Sequence, residues 1–284
     1  MSQKPGFFKK PGLLTGSLVV VKCHSRRFHK QHTMTHLRKH LYIITLLFCV
    51  ALTGLTLNSC TLETGAVNSP NVYQQKIFHN PDGIGKFYLG REIAKVMGHE
   101  GAGWLERDSR SYRERPDLAI AALDLKPTDI VADIGAGTGY FAFRINPLIP
   151  EGKVLVLDVQ PEMLELIEFV KKQENINNVE TILGEVNNPK LPASQVDIAL
   201  MVDAYHEFEY PREMMLGIVK SLKPGGRVVL LEYRGENPLI MIKGLHKMTE
   251  QQVKKEMEAV GLVFEENKDI LPQQHFLVFR KPVA

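Results

Sequence analysis

Three glycines follow an acidic residue in the segment Asp133-Ile-Gly135-Ala-Gly137-Thr-Gly139-Tyr. Glycine allows tight turns and close approach of a ligand to the main chain, and the N–H groups of a following helix favour an anionic group. A second acid, Asp158, stands 19 residues after Gly139, at the end of an apolar run. A carboxylate in that position can accept hydrogen bonds from both hydroxyls of a ribose. The two features together predict a site for a nucleoside-containing cofactor.

A second group of polar residues follows the apolar run 196–202 and comprises Asp203, Tyr205, His206 and Glu207. Imidazole has an ordinary pKa of about 6.5, so His206 is the candidate general base. A structural, hydrogen-bonded histidine is an equally good interpretation. Glu207 is a weaker candidate because neighbours on a strand face opposite ways. Tyr205 belongs to the same predicted catalytic group, and lining the substrate pocket by packing alone is the alternative.

The elements that must position these residues alternate between strands and helices. Apolar runs predict strands over 129–134, 153–157, 179–183, 196–202 and 227–231, with helices over 141–145, 161–171, 211–222 and 249–260. Two final strands, 262–266 and 275–280, have no helix between them. This order predicts an α/β, Rossmann-like, doubly wound seven-stranded sheet with helices on both faces. The sheet is mostly parallel, and the C-terminal hairpin contributes one antiparallel strand. Ligands of such sheets bind beyond the carboxyl ends of the strands.

The segment before this domain divides into four parts: a basic leader over 1–40, an apolar segment over 41–60, a linker over 61–80 and a helical extension or lid over 81–124. The main domain follows over 125–284. Residues 41–57 carry no charge and follow Arg38 and Lys39, which is typical of a signal sequence. Asn58-Ser59-Cys60 resembles a bacterial lipoprotein cleavage box with Cys60 as the lipidated residue. An uncleaved signal anchor and a buried helix are the alternatives, and Met34 is an alternative start.

Charge is distributed unevenly between these parts. Residues 1–59 hold nine Lys and Arg and no Asp or Glu, so the remainder has 26 basic against 32 acidic residues, a net charge of −6. Binding to a nucleic acid needs clustered cations, so no nucleic-acid partner is expected. The basic flank predicts a membrane-associated protein whose body faces away from the cytoplasm, whereas a nucleoside-containing cofactor is expected inside the cell. The side of the membrane therefore stays open, and so does the oligomeric state.

The glycine segment resembles that of class I S-adenosylmethionine-dependent methyltransferases, in which an acid at the end of the first strand precedes the glycines. Asp158 followed by Gln160 and Met163 resembles the family's adenosine-contacting stretch, and residues 222–226, LKPGG, resemble its turn before strand five. The closing hairpin is also similar. The resemblance covers about residues 120–283 and is nearest to small-molecule enzymes related to quinone biosynthesis.

The resemblance implies S-adenosyl-L-methionine as cofactor. Asp133 would lie near its amino group, Asp158 would hold the ribose, and Glu185 would face the adenine amine, with Asn187 as an alternative. Asp203 could instead contact the cofactor amine. The full set of cofactor-binding residues implied is Asp133, Gly135, Ala136, Gly137, Gly139, Asp158, Val159, Met163, Glu185 and Asp203.

Other functions stay open beside this one. The segment 137–142 also matches the GxGxxG/A pattern of dinucleotide sites, so a NAD(P)-dependent oxidoreductase is one alternative and a non-catalytic nucleoside-binding module on a membrane is another. No HExxH or EF-hand spacing occurs, so no metal is expected. No cysteine follows Cys60, which argues against a thiol-relayed acceptor such as arsenite. A small-molecule methyl acceptor is the expected partner.

Overall fold

The computed structural model describes residues 72–283. The predicted leader over 1–40, the apolar segment over 41–60 with Cys60, and most of the linker lie outside the described residues. Between residues 72 and 283, no helix combines the length and the apolar character that crossing a membrane requires.

The part of the chain before the main sheet forms a small antiparallel sheet in the order β1-β2-β3, followed by three short helices. The strands are β1 (Tyr73–Gln75), β2 (Gly83–Tyr88) and β3 (Arg91–Ala94), and the helices are α1 (Ala102–Leu105), α2 (Arg110–Arg113) and α3 (Pro116–Ala122).

This small sheet corrects two expectations. Residues 83–94, predicted to be helical, form a hairpin, and β1 lies within the predicted linker over 61–80. Leu89 and Gly90, with φ of 48° and 101°, form a two-residue turn between the paired residues Tyr88 and Arg91. Both residues of such a turn need positive φ, and its twist matches that of the strands. The apolar pattern around Ile93 therefore marks a buried strand and not a helix.

The main sheet contains seven strands in the order β6-β5-β4-β7-β8-β10-β9. Its elements are β4 (Ile130–Ile134), α4 (Ala142–Ile145), β5 (Lys153–Asp158), α5 (Pro161–Glu174), β6 (Val179–Leu183), β7 (Val196–Val202), α6 (Pro211–Ser221), β8 (Leu222–Tyr233), α7 (Glu250–Glu258), β9 (Val263–Asn267) and β10 (Gln274–Arg280). Only β10 runs antiparallel to its neighbours β8 and β9. The predicted fold class, including the inserted hairpin strand, is confirmed.

Apolar residues of the central strands alternate between the two faces of the sheet, as side chains of a strand must. Val131 and Val154 face one apolar cluster, which α3, α4 and α5 cover. Ala132 and Leu155 face the other cluster, which α6 and α7 cover. Because the strands are covered on both faces, their polar ends at one edge of the sheet are the places where functional groups can meet.

A buried ion pair joins the small sheet to the main domain. Arg91 of β3 contacts Glu256 of α7 through two bonds, Nε to Oε1 at 2.8 Å and an Nη to Oε2 at 2.9 Å. Glu256 has no exposed surface and also accepts from the Tyr205 hydroxyl at 2.7 Å. A second Nη of Arg91 donates to the carbonyl oxygen of His206 at 3.0 Å. Arg91 therefore anchors the small sheet beside the turn that carries His206.

We predict that Arg91→Ala lowers the free energy of unfolding by about 3–5 kcal/mol, because it leaves the buried carboxylate of Glu256 without its cation. Urea unfolding of the full chain, followed by circular dichroism, measures the change. The matched control is Arg115→Ala, which removes an exposed bidentate pair with Asp117 and should cost about 1 kcal/mol or less. Equal effects of the two substitutions would contradict a structural role for the buried pair.

Candidate active site

The glycine loop after β4 is fixed in place by the neighbouring strand β5. The backbone N–H groups of Gly135 and Ala136 both donate to the carbonyl oxygen of Leu157, at 2.8 and 3.1 Å. The N–H of Gly137 donates to Oδ2 of Asp158 at 3.0 Å. The other oxygen of Asp158 accepts from the backbone of Gln160 at 3.0 Å. Asp158 is therefore held rigidly at the carboxyl end of β5, where the sequence placed it.

A cavity of about 140 Å³ opens beside this loop. The predicted residues Asp133, Gly135, Ala136, Gly137, Asp158, Val159, Met163 and Asp203 all line it. These residues come from four separate segments, after β4, β5 and β7 and on α5. The structure therefore brings eight of the ten predicted cofactor residues to one cavity.

Two of the loop glycines leave room where a side chain would obstruct the cavity wall. Gly135 has φ of 68°, and a Cβ there would lie 2.8 Å from Cβ of Ala204. Gly137 has φ of 56°, and a Cβ there would collide with Leu105. Gly139 differs, because it does not line the cavity and its Cβ would meet Phe143 and Ile167. Gly139 was predicted to contact the cofactor, but in the structure it allows α4 and α5 to pack closely.

Glu185 is the other predicted cofactor residue that lies outside the cavity. Its side chain is exposed and its carboxylate pairs with Lys190 at 2.8 Å. The chain turns directly after β6, where Glu185 and Asn188 exchange backbone hydrogen bonds. This turn directs Glu185 to solvent, and Val186 lines the cavity in its place. Asn187, the alternative, is exposed and does not line the cavity either.

Two carboxylates in the cavity wall each have one buried oxygen without a hydrogen-bond partner: Oδ2 of Asp133 and Oδ1 of Asp203. Burial raises the pKa of Asp133 to about 7, although the N–H of Ala142 and the charge of Arg110 act against it. Burial, together with the nearby acids Glu114 and Glu232, raises the pKa of Asp203 to about 8. Unpartnered buried oxygens are costly, so both are suited to a ligand that carries a positive charge.

A second cavity, of about 470 Å³, adjoins the first. The two share the wall residues Val96, Met97, Leu105, Arg110, Asp203 and Glu207. The second cavity is further lined by Trp104, Arg107, Tyr233, Met241 and Ile242, together with a polar group described next. Four of the shared residues precede the main domain, in a segment that no local motif marks as part of a site.

The polar group contains two histidines placed between two carboxylates. Nδ1 of His206 lies 2.6 Å from Oε2 of the fully buried Glu232, and Nε2 of His206 lies 3.1 Å from Nδ1 of His246. Nε2 of His246 lies 3.1 Å from Oδ2 of Asp82. Glu207 approaches from the side, with Oε1 3.3 Å from Nδ1 of His246 and 3.8 Å from Nε2 of His206. Residues far apart in the chain thus form one continuous row.

The electrostatics of this row favour positive charge. Burial lowers the pKa of His206, but the charge and hydrogen bond of Glu232, with Glu207 and Asp203 nearby, outweigh burial and raise it. His206 and Glu207 lie side by side because residues 205–207 form a 3₁₀ turn and not a strand. The expectation that they face opposite ways is wrong for that reason.

Tyr205 does not reach either cavity. It is fully buried, and its hydroxyl donates to Glu256 behind the turn. The structure therefore contradicts its predicted catalytic role and assigns it to packing. Tyr233 lines the second cavity, where its hydroxyl donates to Glu114 at 2.7 Å.

One group in the described part of the chain brings three metal-ligating side chains together: His206, Glu207 and His246, with ligand atoms within 4.8 Å of one another. The expectation of no metal was based on the spacing of ligand residues within short motifs. Such spacing cannot identify this group, because His206 and His246 are 40 positions apart in the chain.

Comparisons with known proteins agree with this geometry. Residues 125–276 match the family described as "Methyltransferase domain". The uncharacterized methyltransferase YcgJ of Bacillus subtilis is 28% identical over 137 residues, covering 47% of this chain and 53% of that protein. The ubiquinone/menaquinone biosynthesis C-methyltransferase UbiE of Ectopseudomonas mendocina is 24% identical over 126 residues, covering 43% and 49%. The chain spans about half the length of these two relatives.

The fold also resembles that of solved methyltransferase structures. A SAM-dependent methyltransferase from Aquifex aeolicus superposes with a TM-score of 0.62 at 20% identity, covering 66% of this chain and all of that one. At this identity the likeness concerns the fold. The family match covers more than half of the chain and includes the glycine loop, Asp158 and the turn that carries His206. The chain therefore belongs to the methyltransferase domain family of class I, S-adenosylmethionine-dependent proteins.

Proposed function

We propose that this protein transfers a methyl group from S-adenosylmethionine to a small-molecule acceptor. The observation that carries the proposal is the shared wall of the two cavities. One cavity has the residues that fit the cofactor, and the other, larger one opens directly onto it across Asp203 and Glu207. Two ligands bound in adjoining cavities can be aligned for an in-line displacement.

The chain's own residues fit the cofactor. The unpartnered oxygen of Asp133 suits the cofactor's ammonium group, and the fixed carboxylate of Asp158 suits the ribose hydroxyls. The open backbone at Gly135 and Gly137 leaves space that a Cβ would fill. S-adenosylmethionine supplies an electrophilic methyl group on a sulfonium centre. The residues of this chain bind, orient and enclose it, and Leu105 and Met97 exclude water from the shared wall.

The acceptor is proposed to bind in the second cavity. Trp104, Tyr233, Met241 and Ile242 provide apolar surface there, and Arg107 provides a cation. The relative named for ubiquinone and menaquinone biosynthesis supports a small organic acceptor. Of the predicted catalytic residues, His206 and Glu207 line this cavity and stay candidates for the base.

The cofactor class is tested by calorimetric titration of the full chain with S-adenosylmethionine, S-adenosylhomocysteine and NADH. We expect micromolar binding of the two adenosyl ligands and none of NADH. Asp158→Ala should weaken binding by at least about tenfold, because the carboxylate both contacts the ribose and holds Gly137. The matched control is Glu185→Ala, an exposed acid outside the cavity, which should bind as the wild type does.

Preference for NADH would favour the oxidoreductase alternative and contradict the proposal. Tight binding of both adenosyl ligands with no methylated product across a panel of small acceptors would favour the non-catalytic module.

The raised pKa of Asp133 predicts a pH dependence of cofactor binding. Arg110 and Asp158 are the charged groups that face it. Only the ionised carboxylate can pair with the ligand's ammonium group. Affinity for S-adenosylhomocysteine should therefore fall as the pH drops through about 7, by about tenfold between pH 8 and pH 6. Calorimetry at several pH values measures this, and Asp133→Asn should flatten the profile. A wild-type profile as flat as that of Asp133→Asn would contradict the assignment.

We also propose that the apolar segment over 41–60 attaches the protein to a membrane, with lipidation at Cys60. Charge-free residues after Arg38 and Lys39 support this proposal. In bacterial cells fed a labelled fatty acid, the wild type should be labelled and sediment with membranes, and Cys60→Ser should lose the label. Unlabelled protein in the membrane fraction would indicate the signal anchor instead. Unlabelled protein in the soluble fraction would contradict both forms of attachment.

A further inference from the structure

We propose that His206, Glu207 and His246 form a binding site for a divalent transition-metal ion of the zinc class, at the junction of the two cavities. The ligand atoms would be Nε2 of His206, Nδ1 of His246 and Oε1 of Glu207. Nothing in the family match or in the names of the relatives assigns a metal here.

Each of the two imidazoles faces a carboxylate with one ring nitrogen. Nδ1 of His206 lies 2.6 Å from Oε2 of Glu232, and Nε2 of His246 lies 3.1 Å from Oδ2 of Asp82. An ionised carboxylate only accepts hydrogen bonds, so the tautomer that satisfies each acid carries the hydrogen on the nitrogen that faces it. In the neutral rings, the other two nitrogens then present lone pairs to each other, 3.1 Å apart. Such a contact requires a positive centre, either a shared proton or a metal ion.

The distances fit a metal ion. Bonds of about 2.0–2.1 Å from one zinc ion, at tetrahedral or octahedral angles, place two neighbouring nitrogens about 2.9–3.4 Å apart. The observed separation of 3.1 Å lies in that range. Oε1 of Glu207 lies 3.3 Å from Nδ1 of His246, within the same range, and 3.8 Å from Nε2 of His206, beyond it. A small movement of this carboxylate toward His206 would place it at a third corner. Two imidazoles and one carboxylate form a donor set typical of zinc and ferrous ions.

The groups behind the ligands also match those of metal sites. Histidines that bind a metal usually donate their second N–H to a carboxylate, which fixes the ring and increases its basicity. Both histidines have such a partner, Glu232 and Asp82. The atoms Nε2 of His246 and Oδ2 of Asp82 are buried without a well-aligned hydrogen bond. A small movement of the His246 ring onto a metal would allow that hydrogen bond to form.

Access to the site is available through the second cavity. Asp82, His206, Glu207 and His246 all line it, and the side chains of Glu207 and His246 are 15% and 18% exposed. Three protein ligands leave coordination positions open toward the cavity. An oxygen-bearing acceptor could occupy one of them. This last point rests on the proposed function, whereas metal binding itself does not.

The site is tested by titrating the metal-stripped full chain with Zn²⁺ alone, in the absence of any adenosyl ligand. The basic leader contains five further histidines that are common to all variants: His24, His29, His32, His36 and His40. Zn²⁺ bound by these residues cancels when the variants are compared with the wild type. We expect His246→Ala and Glu207→Gln each to bind one tightly held Zn²⁺ ion fewer per chain, and Asp82→Asn to weaken the affinity for that ion by about 10–100-fold. Both ligand residues are partly exposed, which keeps these variants folded where His206→Ala could fail.

The matched control is His99→Ala, which removes a half-exposed histidine that lies near Glu100 and Glu162 but outside the cluster. It should leave the tight equivalent intact. Co²⁺ in place of Zn²⁺ should give the wild type and His99→Ala a d–d absorption band that His246→Ala lacks.

Unchanged stoichiometry and spectra in His246→Ala and Glu207→Gln would overturn the proposal and leave a shared proton between the histidines. Because the titration contains no methyl donor, failure of the metal site and failure of the methyltransferase proposal are separate results.

Discussion

A carboxylate with no exposed surface, Glu232 at the end of β8, fixes the turn on which the rest of the site depends. One oxygen accepts from the backbone N–H of Tyr205 at 3.0 Å, and the other contacts Nδ1 of His206. Burying an ionised carboxylate is costly unless such partners compensate for the loss of water. The turn over 205–207 is therefore locked in one orientation. That orientation places Glu207 in the wall between the two cavities and points the ring of His206 at His246.

The same turn is held from its other side by the small N-terminal sheet. Arg91 reaches both Glu256 and the carbonyl oxygen of His206, and Tyr205 reaches Glu256 from within the core. A segment that precedes the sheet by tens of residues thus supports the turn that carries His206. The segment also supplies Leu105 and Arg110 to the cavity walls, so the first cavity is not complete within the family-matched region alone.

Acidic side chains cluster at the centre of the site. Asp133 and Glu232 are buried and Asp203 is partly buried, and burial raises the pKa of Asp133 and of Asp203. Arg110 is a buried cation close to Asp133 and Asp203, and it is already paired with Glu114. A site of this kind favours cationic ligands, since a positive charge recovers part of the cost of desolvating the carboxylates. A sulfonium cofactor with an ammonium group and a divalent metal ion both meet this requirement.

The sequence was sufficient to predict the order of the strands along the chain, the parallel sheet with its antiparallel insertion, the glycine loop and the partner acid Asp158. These follow from local patterns, because apolar runs, glycine spacing and the acid at a strand end all act within a few residues of one another. The sequence did not determine which neighbouring residues face inward. Glu185 faces solvent, Gly139 lies where α4 and α5 pack together, and Tyr205 is buried in the core. The contacts of His246 with His206 and with Asp82 arise only in the folded protein, because long-range packing of the small sheet and of the segment after β8 brings these residues together. No periodicity or spacing in the chain encodes those contacts.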